Sequence, residues 1–112
     1  METNFNFKSQ ICTTREQSER LLSLGLKKET ADCYWFYCDI AKEWKCTILS
    51  STQVFKDYPT TVIPGWSLHR LIILCGNIAC DWIFRNYDCY TNAINCIEWL
   101  IKEGYFNKEY LV

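Results

Sequence analysis

The sequence holds no Cys-x-x-Cys pair and a single histidine, and its 12 basic residues against 13 acidic ones leave no excess of positive charge. Zinc sites draw on ligand pairs two to four residues apart. The nearest approaches here are Cys33 with Cys38 and Cys75 with Cys80. On a strand, positions five apart face opposite sides, so Cys33 and Cys38 cannot grip one ion. Cys75 and Cys80 straddle the end of an expected helix and are geometrically less remote. No metal site and no cofactor is expected. The lone imidazole, His69, follows Ser67 by two positions on an expected helix. Side chains two apart diverge by about 200°, so they cannot form a nucleophile–base pair. No other acid–base constellation stands out, and a non-catalytic protein is expected. Without a basic block to track a phosphate backbone, nucleic-acid association is the secondary reading, resting on Arg15, Arg20, Lys27 and Lys28, with Glu16, Glu19 and Glu29 interleaved.

Long apolar runs are also missing. The longest, Cys33–Cys38 and Leu71–Cys75, fall far short of a bilayer span, so no membrane segment is expected. The opening Met1–Lys8 carries neither a basic region nor an apolar core of the secretory kind, which gives the expectation of a cytoplasmic protein. In that compartment the eight cysteines are expected to be reduced thiols acting as small hydrophobes. Cys89, just inside the last helix, is the one cysteine with a helix N-terminus to activate it.

Aromatic residues are abundant: five Trp, seven Tyr and six Phe, in a chain that is 49% hydrophobic and 22% charged. This is a globular composition, and 112 residues make one domain, 1–112. The clearest stretch is Asp88–Gly104. Tyr90, Ala93, Ile94, Ile97, Leu100 and Ile101 recur at helical spacing, with Asn92, Asn95, Glu98 and Lys102 opposite. Asp88 is a fit N-cap, and Gly104 suits the left-handed position past the C-terminus. The tail Tyr105–Val112 stays apolar and is expected to dock.

Upstream, Phe5, Phe7 and Ile11 suggest an edge strand or an anchored arm. A capping box, Thr13 with Glu16 or Thr14 with Gln17, opens a first helix carrying Leu21, Leu22 and Leu24 and ending at Gly25. Cys33–Ile40 and Trp44–Ile48 read as two strands of a hairpin. Ser50–Thr61 reads as a surface loop, and Val62–Ser67 as a turn into a helix lined by Leu68, Leu71, Ile72 and Cys75. Cys80, Trp82 and Phe84 alternate with Ala79, Asp81 and Arg85 as a third strand. The sum is an α+β domain of two layers: about three helices packed on a small, mainly antiparallel sheet of three or four strands.

Three residues are candidates for an interface: Trp35, Tyr37 and Trp99. Strand alternation sets Cys33, Trp35 and Tyr37 on one sheet face, with Tyr34, Phe36, Cys38 and Ile40 on the other. A bare aromatic face exceeds what soluble monomers expose, so a homodimer or a separate protein partner is expected to cover it, unless the arm and the 50–61 loop do. Trp99 lies off the apolar stripe of the last helix. Either Tyr105, Phe106 or Tyr110 folds back over it, or it meets a partner.

Three stretches, Phe7–Leu22 with Gly25–Asp32, Ile63–Leu71 and Cys96–Val112, resemble a family of small uncharacterised proteins from gut anaerobic bacteria and their prophage-like mobile elements. The resemblance covers about half of the chain and implies a bacterial cytoplasmic setting. It brings no activity and no site residue.

Overall fold

Residues 10–85 and 87–112 are described by the computed structural model. The arm expected around Phe5 and Phe7 lies outside the described residues. Helix α1 (Arg15–Ser23) starts with the second of the two capping frames: Thr14 Oγ1 accepts from Gln17 N at 3.1 Å, and Gln17 Oε1 accepts from Thr14 N at 2.9 Å. Thr13 is unavailable for capping because its hydroxyl is buried against Ser18 Oγ at 2.7 Å. Leu24 closes the helix, and Gly25 takes φ +102°, a conformation a side chain would oppose.

A 3₁₀ turn over Lys28–Thr30 leads into strand β1 (Cys33–Cys38), which pairs antiparallel with β2 (Glu43–Ile48), Trp35 opposite Cys46 and Tyr37 opposite Trp44. The hairpin is as the sequence indicates, except that β1 stops two residues before Ile40, which sits in the turn. Helix α2 (Gln53–Asp57) forms within the stretch expected to be loop, and its Phe55 is buried in the core. The third strand is β3 (Ile63–Gly65), antiparallel to β1, and the sheet order is β2-β1-β3. Pro64 is tolerated there because β3 is an edge strand.

The segment expected as the third strand is helical. After α3 (Leu68–Cys75), Gly76 turns at φ +70° and a 3₁₀ turn over Gly76–Ile78 runs into α4 (Ala79–Ile83). Its buried residues are Ala79 and Ile83, four apart, which is a helical repeat. The alternation of Cys80, Trp82 and Phe84 was a short pattern that both periodicities can satisfy, and packing on the last helix selects the helical one.

Helix α5 (Cys89–Lys102) has the expected ends: Asp88 Oδ1 accepts from Thr91 N at 3.0 Å, and Gly104 takes φ +79°. Tyr90, Ala93, Ile94, Ile97 and Leu100 are buried against α3, α4 and Trp66 in one continuous core. Each of the two isoleucines, fully buried, contributes about 2 kcal/mol by removing its side chain from water. The supposed outer face is not all solvated. Asn92 is 1% exposed, and Glu98 pairs with Arg20 of α1. Arg20 also donates to Asn95 Oδ1 at 2.9 Å. The tail docks as expected: Phe106 is buried, Lys27 N donates to Tyr110 O at 2.8 Å, and Val112 N donates to Gly25 O at 2.7 Å. The result is the two-layer α+β arrangement, with helices α1, α3 and α5 beside a three-stranded antiparallel sheet. Among the described residues, no helix is long and apolar enough to cross a membrane.

Candidate functional site

The segment before α1 is clamped onto the sheet by aromatic residues. Thr13 N donates to Trp66 O at 2.8 Å, Trp66 N donates to Thr13 Oγ1 at 3.1 Å, and Trp35 Nε1 donates to Thr13 O at 2.8 Å. Tyr90 Oη donates to Gln10 O at 3.0 Å. Trp66, fully buried, donates its indole N–H to Thr30 Oγ1 at 3.0 Å, and that hydroxyl donates on to Lys27 O at 2.7 Å. Buried polar groups in such a chain are satisfied and hold one geometry. The clamp fixes Cys12 on the sheet face that carries Cys33, Trp35 and Cys46.

Three cysteines from three distant parts of the sequence meet there. Cys12 and Cys46 form a disulfide, with their Cα atoms 7.3 Å apart, and the Cys33 sulfur lies within 4.8 Å of both. The expectation that all eight cysteines are free thiols finds no support at this pair. Cys33 and Cys46 share a face because Cys46 stands opposite Trp35, two residues along from Cys33. Gly65, opposite Cys33 on β3, leaves the room for Cys12: a Cβ there would lie 3.2 Å from Cys12 Sγ. Burial pushes the Cys33 thiol up to about 11, and the neighbouring Asp32 carboxylate adds to the rise. Asp32 itself accepts from Ser67 N at 2.8 Å and from Ser67 Oγ. A cavity of about 260 Å³, lined by Gln10, Ile11, Cys12, Thr14, Trp35 and Cys46, opens beside the disulfide.

Of the other thiols, Cys75 and Cys96 adjoin each other in the core, and Cys38, Cys80 and Cys89 lie on separate elements. Cys33 and Cys38 alternate along β1 as the sequence indicates. Cys80 is exposed on α4, while Cys75 is buried and donates to Ala93 O at 3.4 Å, so those two do not form a pair. A hydrogen bond with Cys96, together with burial, pushes the Cys75 thiol well above its ordinary range. Cys89 is half-buried at the start of α5. His69 is exposed, and Ser67 Oγ is engaged by Asp32 and Arg70 N instead.

The candidate interface residues fall in two places. Trp35 and Tyr37 lie on one face of the hairpin with Trp44: Tyr37 and Trp44 meet edge to face at 5.8 Å, and the Arg15 guanidinium sits 4.7 Å over Trp44. Trp99 belongs to a separate stack on α5, 6.0 Å from Trp82 and 5.8 Å from Tyr105, with Arg85 3.7 Å over Trp82. Tyr105 does fold back on Trp99, which is left 39% exposed. Both faces of the hairpin are engaged near its base. The Cys12–Thr14 segment lies on one, and on the other Tyr34 and Phe36 share a groove of about 440 Å³ with Val54, Tyr58 and Val62. Towards the tip Tyr37 is left 48% and Ile40 97% exposed, and at the opposite end of the hairpin Ile48, across from Cys33, is left 75% exposed. The three-cysteine convergence carried no local sequence signal; only the hairpin register could have exposed it. Comparison with protein-family models, with curated proteins and with solved structures finds no match to this chain.

Proposed function

We propose that this chain is a non-catalytic protein-interaction module, an accessory protein of a bacterial mobile element, whose docking element is the open β2 edge of the β1–β2 hairpin and whose occupant is a second copy of the chain. The observation that carries this reading is the self-complementarity of β2. It is an edge strand, and among the described residues no strand pairs with its outer side. An antiparallel two-fold pairing centred on Trp44 sets Glu43 of each copy opposite Lys45 of the other. The same axis brings exposed Ile40 of one copy towards exposed Ile48 of the other. Cross-strand pairs of opposite charge and of apolar residues each stabilise such a ladder, and closure removes an open edge.

Light scattering at micromolar concentration tests it. The expected mass is twice the 13.3 kDa of the chain. Lys45→Glu sets acidic residues face to face and should give monomers, while the exchange Glu43→Lys with Lys45→Glu should restore the dimer. A wild-type monomer would refute the reading. A Lys45→Glu dimer would refute the edge geometry.

A further inference from the structure

We propose that in the reduced protein Cys12, Cys33 and Cys46 bind one thiophilic divalent ion of the zinc class, and that the Cys12–Cys46 disulfide is the metal-free, oxidised form of the same site. The three sulfurs lie within 4.8 Å of one another. In a tetrahedral zinc thiolate the metal–sulfur distance is about 2.3 Å, which places sulfurs about 3.8 Å apart. Small side-chain rotations bring the three to that spacing once the disulfide is open. The backbone suits ligands better than a bridge: the Cα atoms of Cys12 and Cys46 stand 7.3 Å apart, beyond the roughly 4.4–6.8 Å that bridged cysteines span.

The site is also built. Cys12 and Cys33 are 1% and 2% exposed, and each is held by structure on both sides. Cys12 is fixed by the Thr13–Trp66 and Thr13–Trp35 hydrogen bonds, and Cys33 is fixed by its pairing with Ile48 and Gly65. Gly65 is the one residue of β3 whose missing side chain leaves space for the Cys12 sulfur. Three thiolates with a fourth position open towards a small cavity match a tetrahedral ion carrying one exchangeable ligand. The cavity lined by Cys12 and Cys46 has room for a water molecule there.

The chemistry balances. A water-soluble phosphine and one water open the disulfide: the two sulfurs take up two electrons and two protons, and phosphorus takes the oxygen. Binding then exchanges the three thiol protons for the ion, with no change in oxidation state. In either form the same contact ties the segment before α1 to the hairpin.

The experiment uses the full chain, reduced anaerobically with a phosphine that is then removed. Cobalt(II) is the probe, followed by displacement with zinc(II). The expected result is one cobalt per chain, with the intense visible bands of a tetrahedral thiolate, lost on adding one equivalent of zinc. The unreduced protein should give no such spectrum, and Cys33→Ser and Cys46→Ser should each weaken binding at least tenfold. X-ray absorption of the zinc-loaded wild type reads the ligands without any variant: three sulfurs at about 2.3 Å are expected. A reduced wild type that takes up no cobalt overturns the proposal. So do spectra unchanged in both variants, or a zinc shell of oxygen and nitrogen only.

Discussion

Asn92 offers the sharpest test of how this fold is held. It lies on α5 with only 1% of its surface exposed, and its Nδ2 donates at 2.8 Å to Ile83 O and at 2.8 Å to Tyr87 O. It therefore binds the end of α4 and the connection before α5 to the long helix. Asn92→Ala removes two hydrogen bonds worth about 1 kcal/mol each and strands the Ile83 carbonyl in a buried position, so the expected loss is about 2–4 kcal/mol. That is a large share of the roughly 5–15 kcal/mol by which a domain of this size is stable. Asn92→Asp keeps the shape but turns a carboxylate towards two carbonyl oxygens. At pH 8 it should be destabilised more than Asn92→Ala. Burial and repulsion raise the introduced carboxyl's pKa in the folded state above its unfolded value, about 3.9. The charge penalty is therefore present above the folded pKa and fades as pH falls towards the unfolded one. The gap between the two variants should narrow from pH 8 to pH 5, read by urea denaturation at each pH. A loss below about 1 kcal/mol for Asn92→Ala, or an Asn92→Asp no weaker than Asn92→Ala at pH 8, would refute this account.

Other outcomes follow from the same geometry. Thiol titration of the unfolded, unreduced protein should find six free cysteines, rising to eight after reduction. Opening the bridge, whose cysteines are 34 positions apart, should lower stability by up to about 4 kcal/mol in the absence of metal. Gly65→Ala drives a Cβ to 3.2 Å from Cys12 Sγ, and should cost about 1–3 kcal/mol by denaturant melt while slowing reoxidation of the Cys12–Cys46 pair. Trp66→Phe and Thr30→Val each break the indole bond of 3.0 Å, so a double-mutant cycle should return about 1 kcal/mol of coupling, and strict additivity would contradict the bond. Asp88 has its carboxyl held below the ordinary carboxylate range by the hydrogen bonds from Thr91, side chain first and then backbone. Its stabilisation is present above the unfolded carboxylate pKa and is lost as pH falls through the depressed folded one. Asp88→Ala should cost about 1 kcal/mol at neutral pH and flatten the acid limb of the stability profile.

The elements whose cause is local were legible in the sequence. The α5 stripe with its Asp88 cap and Gly104 stop, the Thr14–Gln17 capping box and the β1–β2 hairpin all rest on spacing and chain-end chemistry that a single segment carries. The docking of the tail was likewise visible in its aromatic content. What depended on partners far along the chain was not. The seven-residue alternation of Ala79–Arg85 reads as a strand, and packing on α5 made Ala79–Ile83 a helix instead. Ile63–Gly65 became a strand because β1 offered it an edge, although Pro64 reads locally as a turn. Asn92 sits where helical spacing predicts solvent, and is buried because the α4–α5 connection folds over it and needs two carbonyls satisfied. Cys12, Cys33 and Cys46 share no spacing motif. Their meeting was set by the strand register, by the threonine–tryptophan clamp and by the absent side chain of Gly65, all of them properties of the assembled chain.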